Sequence, residues 1–247
     1  MRKTFAAILL LLAASLLQAR TPADVQTIEH DSYTTVYSPS LHIPVLVSWT
    51  LTSERAAASA VSRSGYEFTP DPEANDGMDT RFYSRSGYDR GHMCPAADNK
   101  HSDTAMRESF YLTNICPQDR TLNAGLWNEL EQRCRYLARK YGTMRIECGP
   151  VLAESPQRIG EKGIAVPEAF FKAVLVRKDG VWQAAGFIMP NRALDPEEDI
   201  FKYLVTVDEI EKATGLDLFG DLAESEQKAA ESRTDKSVWE IRNWKKH

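Results

Sequence analysis

The chain has 247 residues, of which 43% are hydrophobic and 26% charged, with a formal net charge of −5. That mix excludes a disordered chain, and a mean hydropathy of −0.41 excludes a polytopic membrane protein. Net acidity excludes a protein that coats nucleic acid through bulk positive charge, although it allows a local basic cleft.

Residues 1–19 read as an export signal. Arg2 and Lys3 give a positive start, and Phe5 to Leu17 form an apolar core too short to span a bilayer. The expectation is an exported bacterial protein, periplasmic or extracellular, with no membrane contact in its mature form. Loss of Arg2 and Lys3 takes the net charge to −7. Residues 20–247 then suit a single domain with a sizeable core.

Val45 to Leu51 alternates as a strand, and residues 63–79, rich in Gly, Pro, Asp and Asn, form a long loop. Arg81 to Met93 is read as strand and turn around Gly87 and Gly91. Asp103 to Phe110 is a short helix capped by Ser102 or Asp103, and Tyr111 to Ile115 a strand ended by Pro117. The clearest helix runs from Asn123 to Tyr141, where Leu126, Leu130, Cys134, Leu137 and Tyr141 form an apolar stripe.

Arg145 to Cys148 is read as a strand stopped by Gly149 and Pro150. Ala173 to Arg177 and Val181 to Ile188 make a hairpin through Asp179-Gly180. Thr206 to Glu209 is a capping box, and Gly215 ends that helix. The tail, residues 221–247, is expected to be helical, anchored by Trp239 and Trp244. Strands and helices mix without regular alternation, which is an α+β pattern.

Three segments carry candidate chemistry: Asp89-Arg90-Gly91-His92, Asn114 to Gln118, and Asn123 followed by Trp127, Glu131 and Arg135. The last four residues recur every fourth position and share a helix face. An amide oxygen at Asn123 can ligate a hard cation, and Glu131 can hold that cation's waters. Arg135 can fork onto a phosphate. His92 can take a proton near neutral pH, and Arg90 beside it offers permanent positive charge. The bland alternatives are a capped helix with a Glu131–Arg135 ion pair, and a structural histidine.

The cysteines are Cys94, Cys116, Cys134 and Cys148. An even count in an exported chain suggests two disulfides, with three pairings open. Their spacing does not resemble a zinc site, because no Cys-x-x-Cys or Cys-x-x-His pair occurs.

Taken together, the three segments resemble the DNA/RNA non-specific endonuclease family, the sugar-non-specific nucleases of the ββα-metal finger type. The resemblance runs from Arg63 to Leu218 and is densest between Tyr88 and Arg135. It implies an α+β fold with a mixed, mainly antiparallel sheet, flanking helices and a ββα-metal finger. It also implies roles. His92 matches the general base, and Asn123 the one direct protein ligand of a hydrated Mg²⁺, for which Mn²⁺ can substitute. Glu131 matches the carboxylate that holds metal-bound water. Arg90, Asn114 and Arg135 match polar groups around the scissile phosphate, and Arg63 the family's upstream arginine. Asp89 supports the site.

The implied partners are DNA and RNA backbones, cleaved with little sequence preference to 5′-phosphate ends. The segments of His92 and Asn114 must converge in such a site. That favours the bridges Cys94–Cys116 and Cys134–Cys148, the second closing a short local loop. Two rival functions share the motifs: a phosphodiesterase for another anionic substrate, and a non-catalytic nucleic-acid binder. Charge distribution favours a basic cleft. Residues 81–145 carry 11 basic and 7 acidic side chains, whereas residues 196–247 carry 8 and 13.

Overall fold

The computed structural model describes residue 22 and residues 24–240. The expected export signal and Trp244 lie outside the described residues. Among them, no helix is long and apolar enough to cross a membrane.

The sheet has seven strands in the order β1-β2-β3-β6-β9-β10-β11, every neighbouring pair antiparallel. They are β1 (Gln26–Glu29), β2 (Thr34–Ser38), β3 (Ile43–Thr52), β6 (Thr143–Val151), β9 (Ala169–Lys178), β10 (Val181–Pro190) and β11 (Leu204–Val205). Two small hairpins stand apart: β4 (Asp89–His92) with β5 (Ile115–Gln118), and β7 (Arg158–Ile159) with β8 (Ile164–Ala165). The helices are α1 (Ser53–Ala57), α2 (Asp103–Ser109), α3 (Arg120–Leu122), α4 (Asn128–Tyr141), α5 (Val207–Thr214), α6 (Glu224–Glu231) and α7 (Lys236–Trp239). The α+β reading holds.

The alternation along β9 explains the layering. Successive strand side chains point to opposite faces. Phe170, Val174 and Val176 join the larger core cluster, with Leu130, Cys134 and Leu137 of α4. Phe171, Ala173 and Leu175 join a second cluster, with Val207 and Ile210 of α5 and Ala230 of α6. The central strands are therefore apolar throughout because both faces are covered. Each fully buried Phe or Leu contributes about 1.5–3 kcal/mol. One face carries α4, and the other carries α5 and α6.

The Asp179-Gly180 hairpin forms, with both residues at positive φ (51° and 80°) as a tight two-residue turn requires. Thr206 and Glu209 make the reciprocal capping box, and Gly215 ends α5 at φ 74°. Ser102 caps α2 by accepting from the Ala105 amide.

Three expectations need correction. The strand expected at Tyr111–Ile115 is a short helical turn, Leu112–Asn114, and the strand follows it as β5. Pro117 lies inside β5, tolerated because β5 pairs only with β4. β6 runs through Gly149 and Pro150 to Val151, because β9 holds that end in register.

Candidate active site

The hairpin β4–β5 holds the Asp-Arg-Gly-His segment in fixed register: Asp89 faces Gln118, Gly91 faces Cys116 and His92 faces Ile115. Gly91 is required by packing. A Cβ there would lie 2.2 Å from Oε1 of Gln118, so the two strands could not approach.

Asn114 is wholly buried and works as a bracket. Its Oδ1 accepts from the Cys94 amide at 2.9 Å, and its Nδ2 donates to the carbonyls of Cys94 (2.9 Å) and Ser109 (2.8 Å). Those bonds use both ends of its amide, so Asn114 shapes the loop after His92 from below and has no end left for a phosphate.

Asn123 does not start a regular helix. Asp119 caps the segment, accepting from the Thr121 and Leu122 amides at 2.8 and 3.1 Å. Residues Asn123–Trp127 form a widened turn in which Gly125 leaves helical geometry (φ −99°, ψ −113°) before α4 begins. Such widened turns re-aim side chains at functional sites. Asn123 Nδ2 donates to Asp89 at 3.1 Å, which fixes the amide so that its oxygen is the end free to meet a cation. The residues present therefore fit a hard divalent ion. Trp127 lies in the core against Phe170, ring centroids 5.7 Å apart.

Arg135 is engaged within the chain. Its Nη1 lies 2.9 Å from Oδ1 of Asp98, which is 1% exposed, and the other oxygen of Asp98 accepts from Trp49 Nε1 at 3.1 Å. The bland alternative, an i,i+4 ion pair with Glu131, gives way to this longer-range bond. Arg135 thus anchors α4 to the loop carrying Asp98.

His92 packs between Phe68 (ring centroids 5.2 Å) and Phe110 (5.0 Å). Its Nε2 is buried with no hydrogen-bond partner. Arg63 lies over Phe110 at 5.5 Å, and Arg90 over Phe68 at 5.5 Å. Two aromatic rings thus bring Arg63, Arg90 and His92 together. Arg90 donates to the Thr80 carbonyl at 2.8 Å, while its Nε stays buried and unpartnered. Burial, and then Arg63, push the His92 imidazole down to about 3, so it is uncharged near neutral pH.

Burial pushes the Glu131 carboxyl up to about 7, against the pull of Lys172, Arg135 and Arg63. Lys172 is fully buried in β9, its Nζ 4.9 Å from the Trp49 ring and 4.7 Å from the Trp127 ring. Arg63 acts on both His92 and Glu131, so the hairpin and α4 converge electrostatically.

The two expected disulfides do not form; all four cysteines are buried free thiols. Cys116 faces Gly91 across the hairpin rather than Cys94. Cys94 accepts from Asn99 Nδ2 at 3.4 Å, and Cys148 from Lys172 Nζ at 3.4 Å. These sulfurs pack as small apolar groups, and burial raises Cys94 and Cys134 to about 12.

Sequence reasoning missed Asp98, Lys172 and the Phe68/Phe110 pair. Lys172 did leave a signal: it is the one charge within the apolar run from Ala169 to Val176.

The model of the DNA/RNA non-specific endonuclease family matches residues 14–225. That span is wider than the resemblance read from Arg63 to Leu218. The Danio rerio protein "Nuclease EXOG, mitochondrial" is 35% identical over 74% of this chain and 57% of its own length. The Saccharomyces cerevisiae "Mitochondrial nuclease" is 34% identical over 81% of this chain and 67% of its own. The chain thus spans little more than half of the first of these. A chain in the crystal structure of the EndoG/EndoGI complex superposes with a TM-score of 0.77 at 27% identity, covering 87% of this chain and 94% of that one. These relatives overturn the expectation of a bacterial periplasmic or extracellular protein, since they are mitochondrial nucleases of eukaryotes.

Proposed function

The chain belongs to the DNA/RNA non-specific endonuclease family, and from that membership we propose that it hydrolyses phosphodiester bonds of DNA and RNA with little sequence preference. The observation that carries this reading is His92. It is a neutral imidazole whose buried Nε2 has no partner, beside two arginines. A nitrogen held dry and unpartnered is available to take the proton of an attacking water. Residues 20–247 act as one nuclease domain.

Arg63 and Arg90 hold the scissile phosphate and meet the charge that builds on it. Asn123, oriented by Asp89, would hold the divalent ion directly and Glu131 would hold it through its waters, Mg²⁺ by proposal, with Mn²⁺ able to replace it. When bound, that ion supplies Lewis-acid stabilisation of the phosphoryl oxygens. Asn114 and Arg135 position the hairpin and α4 rather than touch the phosphate. Attack opposite the 3′ oxygen leaves 5′-phosphate ends. Phosphates alone are contacted, so binding weakens with salt.

Digestion of plasmid DNA and of a long RNA by the full chain is the direct test. Both are cleaved with Mg²⁺, neither in excess chelator, and added Mg²⁺ or Mn²⁺ restores the rate. Full activity in excess chelator would remove the metal from the proposal.

A further inference from the structure

The sheet face opposite α4 carries a group of carboxylates that the nuclease chemistry does not use. Asp208 and Glu211 lie three residues apart on α5, so they share one side of that helix. Glu231 is the last residue of α6. One oxygen from each of the three lies within 4.8 Å of the others. They are graded in depth: Asp208 is exposed, Glu211 half-buried and Glu231 only 4% exposed.

Glu231 is the informative member. Its Oε1 is buried and has no hydrogen-bond partner. A buried carboxylate oxygen without a partner is costly. Its position in the last turn of α6 adds to the cost, since the helix dipole is negative there. The charged groups that act on it are Glu211, Asp208 and Asp217, all acidic. Glu211 spends one oxygen on the Leu218 amide at 2.7 Å, and Asp217 accepts from Gln227 at 2.8 Å. With burial foremost, these neighbours push the Glu231 carboxyl up to about 7, against a hydrogen bond from the Gln227 side chain to the carboxyl group. No cationic side chain among the described residues is paired with any of the three carboxylates.

We propose that Asp208, Glu211 and Glu231 form a second divalent-cation site of the calcium type, separate from the nuclease centre. All three donors are hard oxygens. Two oxygens across a calcium ion, each about 2.3–2.6 Å away, sit up to about 5 Å apart, which accommodates the observed spread. The open rim at Asp208 gives an entry path and leaves positions for water. A cation here joins the end of α6 to α5, both packed on β10 in one apolar cluster. Its consequence is structural: it locks the C-terminal helical layer onto the sheet.

The test is calcium titration of the full chain by calorimetry, alongside Asp208→Asn and Glu231→Gln. The native protein binds one more calcium per chain than either variant, or binds that calcium at least tenfold more tightly. Calcium also raises the melting temperature of the native protein more than that of Asp208→Asn. Asp208 is exposed, so its variant folds whatever becomes of Glu231→Gln. Equal stoichiometry and affinity in the native protein and Asp208→Asn would overturn the proposal. So would no calcium binding at millimolar concentration. Asn123→Ala removes a different ion and leaves this one, so the failure of the nuclease-metal reading is separately visible.

Discussion

Two histidine environments divide the molecule. His42 stands on the loop between β2 and β3, with Nδ1 3.1 Å from Oδ2 of Asp76. That same carboxylate accepts from the Tyr37 hydroxyl, and its other oxygen from the Met78 amide at 3.0 Å. Both oxygens of Asp76 and the Nδ1 of His42 are spent inside the chain. His92 is the reverse. Its Nε2, the Nε of Arg90 and both amide atoms of Gln118 are buried and unpartnered. A folded chain rarely leaves buried polar atoms open. Saturation marks a place that holds the fold, and a cluster of open groups marks a place prepared for something else to bind.

The contrast can be broken by exchange of effects. His92→Gln, which keeps most of the volume between Phe68 and Phe110, should lower plasmid cleavage about 10²–10⁴-fold, the range of a lost general base, with the melting temperature little changed. A comparable loss of stability would make His92 a structural residue like His42. Asp89→Asn comes next. The amide can no longer act as a charged acceptor for Asn123 Nδ2, so apparent affinity for Mg²⁺ should fall about 10–100-fold while the rate at saturating ion recovers. A fall that excess Mg²⁺ does not rescue would place Asp89 in the chemistry itself.

Glu131→Gln sharpens the comparison through pH. The folded protein holds the Glu131 proton up to about 7, above the unfolded carboxyl range. Between those values the folded state binds more protons, so its stability falls as pH rises. In chelator, the Gln variant should therefore melt roughly 7–14 °C higher than the native protein at pH 8, and nearly equally at pH 5. A variant that melts lower at pH 8 would mean that the carboxylate is well paired. His42→Asn has the smallest expected effect. Asn tolerates the positive φ of 56° at this position. The variant should lose about 1 kcal/mol of stability with the Asp76 bond and cleave at the native rate.

What the sequence disclosed was local. The hairpin at Asp179-Gly180, the Thr206 capping box and the stripe on α4 depend on neighbours within a turn or two, and all form. The motif order around His92, Asn123 and Glu131 was likewise legible. Lost were features set by partners far along the chain. Arg135, read as a phosphate-binding residue, finds Asp98 far along the chain. Asn114 turns inward because the Cys94 backbone meets it there. The thiols stay apart because β4 pairs with β5 in a register that sets Cys116 against Gly91. Gly125 offered a hint of the break before α4, although an isolated glycine in a helical pattern is also compatible with a continuous helix.

The position of the site within the sheet has a consequence for folding and for tolerance of change. β3 and β6 are adjacent strands, and Thr52 lies opposite Thr143. Residues 53–142, which carry every proposed nuclease residue, thus leave the sheet and return to it at one point. Closing so long an excursion costs little more than closing a short one, because loop entropy grows only with the logarithm of length. The price is kinetic: β3 cannot find β6 until the whole segment between them has been gathered in, which makes this pairing a slow, non-local step.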